Sequence, residues 1–268
     1  MRKCDSSLIV IVSIVALCIG VTSSVAVDIG DPVYQQDVSG KKGRVEILYE
    51  KYDRDTNLEI GEITFTGPGG TVTVLADDTT TSTDADVFML RATLLSSESV
   101  AIYGDVGILE EDGVDDTALL VGGGVRVLVY ESETMRLSVF GAGHYVPPYD
   151  ADIEDFDPNS GRISAEAEID YFEVGGGVLL SANLSLDEKT TLVPYGGFAI
   201  SVLRGSVDTT VNFSDLGIVA TSDADLEEDD LAQLVIGGSL LFNEIWSIRV
   251  EGRVVGDSSV SAGAGVAF

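Results

Sequence analysis

The closing stretch SVSAGAGVAF, residues 259–268, decides the fold. Val260, Ala262, Ala264, Val266 and Phe268 fall on one face of an extended chain; Ser261, Gly263, Gly265 and Ala267 fall on the other. Successive side chains of a strand point to opposite sides, so this period of two predicts a β-strand. WSIRVEGRV, residues 246–254, repeats it: Trp246, Ile248, Val250, Gly252 and Val254 oppose Ser247, Arg249, Glu251 and Arg253. In SVAIYGDVGI, residues 99–108, Val100, Ile102, Val106 and Ile108 oppose Ala101, Tyr103, Asp105 and Gly107. RLSVFGAGHY, residues 136–145, carries apolar groups on both faces, and its assignment rests on spacing. In AEAEIDYFEVGGGVLL, residues 165–180, the parity slips near Tyr171–Phe172, which predicts a β-bulge or a long protruding strand.

The same reading gives ten strands, near 44–52, 85–95, 99–109, 117–130, 135–145, 164–184, 190–205, 231–242, 245–255 and 259–268. The gaps between them alternate in kind. Long or acidic connections are expected at 53–84, 110–116, 146–163 and 206–230, with a brief one at 256–258. Tight turns are expected at 96–98, 131–134, 185–189 and 243–244. Loops sorted by length to opposite ends predict an all-β protein, an antiparallel up-and-down transmembrane β-barrel of about ten strands, eight being the alternative count. Long acidic loops would lie outside the cell, with short turns and both termini on the periplasmic side. The inward set would then be Glu46, Glu50, Arg91, Asp105, Arg126, Arg136, Arg204, Arg249, Glu251 and Arg253. A soluble lipocalin-type barrel inverts the two faces, and alternation by itself does not separate the two.

The other end of the chain favours the membrane version. Arg2 and Lys3 precede an apolar run from Leu8 to Gly20, followed by small residues through Ser24-Val25-Ala26. This is the pattern of a secretory signal peptide over 1–26, cleaved after Ala26. The run is shorter than the roughly 20 apolar residues of a spanning helix. A periplasmic segment, 27–43, then leads into the barrel, 44–268. Both cysteines, Cys4 and Cys18, leave with the signal, so the mature chain has no thiol for a disulfide, a thiolate metal site or a nucleophile. Mean hydropathy is +0.26 while the formal charge is −30, so oily and acidic segments alternate along the chain. With that charge and no basic patch, nucleic acid is excluded as a partner.

Two motifs carry a resemblance. SAGAGVAF, with Ser261, Gly263, Val266 and Phe268 at its defined positions, resembles the C-terminal assembly signal of bacterial outer-membrane β-barrel proteins. VPYGGFAIS, residues 193–201, is similar to the Pro-Tyr-x-Gly strand of small barrels of the OmpA-type transmembrane domain. The resemblance is one of pattern over 44–268. It implies location in the outer membrane of a double-membraned bacterium, the lipid bilayer as partner, and recognition of Ser261–Phe268 by the barrel-insertion machinery. Ten strands depart from that family's usual eight, and no peptidoglycan-binding domain follows the barrel.

Neither catalysis nor a cofactor is expected. Ten-stranded outer-membrane barrels include a protease family with an aspartate–histidine pair on its rim, but its Asp-x-His spacing is absent around His144, the one histidine, despite Asp150 and Asp152 nearby. The His-x-Ser pair of the phospholipase family is replaced by His144-Tyr145-Val146. In DFDPNSGRISAE, Asp155, Asp157, Asn159 and Glu166 stand at offsets 1, 3, 5 and 12, the spacing of a calcium loop, although the turn glycine falls one place late at Gly161. A solvated turn explains the same residues, and loose screening of the acidic loops by divalent cations is the broader expectation. No catalytic, cofactor or metal residue is therefore assigned. The reading is a structural or surface-interaction barrel, with a small porin-like channel as the alternative. Mixed charges in the lumen, and a strand count well below the 16–18 of open porins, argue against the channel.

Overall fold

The computed structural model describes residues 43–97, 99–111, 117–157, 161–228, 232–254 and 258–268. The expected export signal, and all of the 27–43 segment except Gly43, lie outside the described residues.

Thirteen strands follow in chain order among the described residues: β1 (Gly43–Gly67), β2 (Gly70–Leu75), β3 (Thr79–Ser97), β4 (Val100–Glu111), β5 (Thr117–Glu131), β6 (Met135–Asp157), β7 (Gly161–Ala182), β8 (Leu184–Ser185), β9 (Thr190–Phe213), β10 (Ile218–Glu228), β11 (Ala232–Phe242), β12 (Trp246–Val254) and β13 (Ser258–Ala267). Ten of them, β1, β3, β4, β5, β6, β7, β9, β11, β12 and β13, form an antiparallel ring of neighbours. β13 closes it on β1 through a ladder from Arg44↔Ala267 to Asp53↔Ser258. Each expected strand is present, and the count is ten rather than eight. Closure leaves no open edge at this level, and every ladder is antiparallel, as a barrel within lipid requires.

The long connections are the main difference from the sequence reading. Most of 53–84, 146–163 and 206–230 is strand rather than loop. β1 runs on to Gly67 and turns through Pro68–Gly69 into β2, while β6, β7 and β9 continue upward past the ring. β12 and β13 are short, so β10 passes above them and pairs directly with β1, from Thr56↔Glu228 to Thr66↔Val219, as well as with β9. Above the ten-stranded ring therefore stands a wall in the order β2–β1–β10–β9–β7–β6.

Polarity inverts between the two levels. Around the ring the outward side chains are apolar and exposed, among them Ile47, Leu90, Ile102, Val178, Ile200 and Ile248. The last outward apolar residues at the top are Tyr49, Phe88, Ile108, Leu119, Tyr145 and Phe172. Above that line the outward positions become Asp53, Asp55, Glu59, Glu168, Asp208, Asp223 and Asp225, and the inward ones become largely apolar, with Arg54, Thr56, Thr209 and Ser222 among them. One buried cluster fills the inside of the upper level, joining Leu58, Ile63, Phe65, Ile169, Val211, Phe213 and Leu226 of the wall to Val87, Leu109 and Leu120 of β3, β4 and β5.

The inversion also accounts for the apparent slip in residues 165–180. The ladder of β7 with β9 keeps its register through Tyr171–Phe172, and the ladder with β6 shifts just beside it, between Tyr171 and Ile169, with the extra residue on β6 rather than β7. Ala165, Ala167, Ile169 and Tyr171 point inward, whereas Phe172, Val174 and Val178 point outward without any break in alternation. What changes there is the surrounding medium. The bulge is on β6, between Val146 and Tyr149, where Pro147 and Pro148 cannot donate to the ladder.

Candidate functional site: the filled lumen

Inside the ring, Arg44, Arg54, Arg91 and Arg253 each stand against a side chain of opposite sign. Asp105 on β4 accepts two hydrogen bonds from the Arg91 guanidinium on β3, at 2.7 and 2.8 Å. Their Cα atoms are register partners, so both side chains leave the same face directly opposite each other. The guanidinium also lies 4.2 Å over the Tyr103 ring. His144 on β6 places Nε2 3.1 Å from the second Asp105 oxygen. A Cβ on Gly122 would run into that imidazole, so glycine makes the room His144 occupies.

Two further groups complete the level. Arg54 faces Glu173 across the lumen, with both nitrogens at 3.2 and 3.4 Å from the carboxylate. Arg253 meets Glu50 at 3.2 Å and Glu251 at 3.2 Å, and Tyr195 donates to the other Glu251 oxygen at 2.8 Å. Arg44 and Glu46 sit 3.6 Å apart near the lower end. Glu50 and Glu173 have no accessible surface at all, and Arg54, Arg91, Arg249, Glu251 and Arg253 have 1% each. A water-sized sphere cannot reach these groups, whereas the lining of a wet pore would be open to one.

A layer of hydroxyls separates this level from the apolar one. Tyr149 donates to Glu111 at 2.8 Å, with Tyr52 and Tyr171 buried beside them. Glu111, just above the apolar band, is pushed up to about 8 by burial, against a partial opposing effect of the Tyr149 hydrogen bond. Burial likewise raises the hydroxyls of Tyr52, Tyr149 and Tyr171, so all three stay neutral.

Of the ten residues expected inward, Glu46, Glu50, Arg91, Asp105, Arg126, Arg249, Glu251 and Arg253 are buried in the lumen. Arg136 lies at the lower rim, 3.5 Å from Glu131. Arg204 is a correction: it points outward above Val202, half exposed, and pairs with Glu227 of β10. Sequence reasoning missed Arg54 and Glu173 as lumen groups. Arg54 fell in a segment read as loop, and Glu173 sits at the polarity change. The alternation itself, continued two residues past Tyr52 or Tyr171, would have found both.

The calcium spacing does not form a loop. Asp155 pairs with Ile163, Asp157 with Gly161, and Glu166 with Asp152, so these positions are strung along the β6–β7 ladder. Glu166 faces outward, away from buried Ile163. Asn159 lies outside the described residues. Asp150 follows His144 on β6 but is exposed, whereas His144 is enclosed in the lumen. On the outside of the wall, Asp208 and Asp223 are register partners. Desolvation, then the Asp223 charge, lifts the Asp208 carboxyl above its ordinary range.

No family model and no curated protein matches the chain. Among solved structures it is similar to the translocator domain of autotransporter NalP from Neisseria meningitidis, at 14% identity and TM-score 0.45, covering 85% of this chain and 89% of that one. It is also similar to the outer membrane protease OmpT from Escherichia coli, at 8% identity and TM-score 0.40, over 85% and 97% of the two chains. Ail, the attachment invasion locus protein of Yersinia pestis, is a third, at 10% identity and TM-score 0.25, over 85% and 98%. These likenesses are of fold. The ring's own closure and its inverted faces define the class: a ten-stranded β-barrel of the outer-membrane type, with its lumen filled by side chains.

Proposed function

We propose that the chain is exported, inserted in the outer membrane of a double-membraned bacterium, and displays its acidic wall outside the cell as a non-conducting structural or surface-interaction protein. The observation that carries this reading is the double filling of the lumen, by buried ion pairs in the ring and by an apolar core above it. A porin-like channel would need an accessible lining, and the charged groups of the ring have almost none. The proposed likeness to small OmpA-type barrels rests on VPYGGFAIS, residues 193–201, and the terminal strand supports the broader outer-membrane barrel reading. The absence of catalysis is part of the same proposal, since His144 is enclosed among lumen charges.

Insertion through Ser261–Phe268 gains support from the seam. Phe268 N–H donates to the Gly43 carbonyl at 3.0 Å, and Gly43 N–H donates to the Phe268 carbonyl at 3.2 Å. The terminal residue thus extends the ladder that shuts the ring, and its ring lies over Gly43. Membrane fractionation tests the location. The mature chain, beginning near Val27, is expected with outer membranes, resistant to carbonate and shifted in gel mobility by boiling. Recovery as a soluble periplasmic monomer would overturn the proposal.

A further inference from the structure

The wall above the ring does not close. β4 ends at Glu111 and β5 begins at Thr117, so over this hairpin the two outermost strands of the wall, β2 and upper β6, have no neighbour on one side among the described residues. Sheet edges expose unpaired N–H and C=O groups, and proteins guard them with charge, proline or a bulge. Upper β6 is guarded, since its bulge carries Pro147 and Pro148. β2, Gly70-Thr71-Val72-Thr73-Val74-Leu75, carries no charge and no proline, and Val72 and Leu75 are 56% and 82% exposed.

The direction of its free groups follows from the register. Gly67 pairs with Gly70 across the two-residue turn Pro68–Gly69, and Ala76 N–H bonds the Gly61 carbonyl at 3.3 Å. Bonded and non-bonded pairs alternate in an antiparallel ladder, so Gly70, Val72 and Val74 bond β1. The N–H and C=O groups of Thr71 and Thr73, and the N–H of Leu75, therefore face away from β1. Close approach of the Thr64–Thr73 and Thr66–Thr71 hydroxyls, at 3.3 and 3.5 Å, agrees with these being the non-bonded pairs.

Charge selects the occupant. Between Asp55 and Asp86 there is no lysine or arginine, while Asp55, Glu59, Glu62, Asp77, Asp78, Asp84 and Asp86 are all present. Glu59, Glu62, Asp77 and Asp78 are exposed around β2. A second copy of this chain would bring like charge to the edge, in a molecule of formal charge −30. We infer that the free edge of β2 docks an extended, cationic segment of a partner protein, which adds to the wall as a further strand. The inference rests on the surface-interaction reading and specifies the partner's chemistry.

The test uses the full mature barrel in lipid nanodiscs and a short synthetic peptide of alternating lysine and valine, with the glutamate–valine peptide as control. Binding of the lysine peptide is expected to weaken with salt and to slow hydrogen exchange at Thr71, Thr73 and Leu75. Thr73→Pro removes one free-edge donor while keeping the bonds to β1, and should weaken binding about tenfold. Thr73→Lys, which repels the peptide without altering the backbone, gives the same direction if the proline variant fails to fold. Unchanged affinity in both variants, protection elsewhere, equal binding of the glutamate peptide, or edge-dependent dimerisation without peptide binding each overturns the inference. Failure to bind any peptide sinks the docking edge alone, because the surface-interaction reading falls instead to recovery of a soluble periplasmic monomer or to steady conductance of the barrel in a planar bilayer.

Discussion

The ring and the wall are built from the same strands and obey opposite rules. On β7, Val178 and Glu168 lie on one face, yet the first stands in the apolar band and the second among carboxylates. Inside, Glu173 belongs to a buried ion pair and Ile169, four residues away on the same face, belongs to an apolar core. Water lies outside the wall, so its apolar side turns inward as in any soluble sheet. Lipid lies outside the ring, so apolar groups turn outward and the polar ones must satisfy each other within. Strand alternation therefore reports two faces, while the medium decides which face is the core.

The comparison breaks most severely where an ion pair loses one member. Asp105→Ala strips Arg91 of its bidentate partner and His144 of its acceptor, deep in the ring. An uncompensated buried charge costs about 3–5 kcal/mol, so unfolding of the barrel in lipid vesicles by urea should show a loss of that size. A loss below about 1 kcal/mol would mean that water reaches Arg91, against the filled lumen.

The outward face of β7 sharpens the contrast on a single strand. Val178→Arg places a charge in the apolar band and should cost about 2–4 kcal/mol if the residue lies near the bilayer midplane. Glu168→Arg, on the same face of the wall, should stay within about 0.5 kcal/mol. Equal effects in vesicles would remove the boundary between ring and wall.

The boundary layer itself should respond to pH. Burial pushes the folded Glu111 carboxyl up to about 8, above its ordinary value of 4.5, so the folded state holds the proton more tightly. Its contribution is full below the lower value and declines as pH rises toward 8, by an amount on the order of a few kcal/mol at most. Glu111→Gln should flatten that part of the stability profile. An unchanged slope between pH 5 and 8 would place the carboxyl in water.

Much of the ring was legible because its strands are short, apolar on one face and separated by clear turns. Residues 132–134 and 243–245 turn where ESET and NE were expected, with Asn243 and Glu244 at φ of 53° and 58°. The wall was not legible as strand, although Asp53, Asp55, Asn57 and Glu59 alternate with Arg54, Thr56, Leu58 and Ile60. A dense run of acids reads as a solvated loop when only its composition is weighed. The lumen pairs were partly legible: Arg249, Glu251 and Arg253 follow from one strand's parity. Joining Arg54 to Glu173 needed the closed ring, since 119 residues separate them.

The filled lumen is the central claim, and single-channel recording on the purified wild-type barrel in a planar bilayer tests it most directly. No steady conductance above that of the bilayer is expected, because the ion pairs and the core above them occupy the space that water and ions would need. A Glu251→Gln variant should lose stability and open at most an irregular leak, since Arg253 and Tyr195 both depend on that carboxylate. A large, steady wild-type conductance, with Glu251→Gln changing ion selectivity and leaving stability intact, would contradict the account.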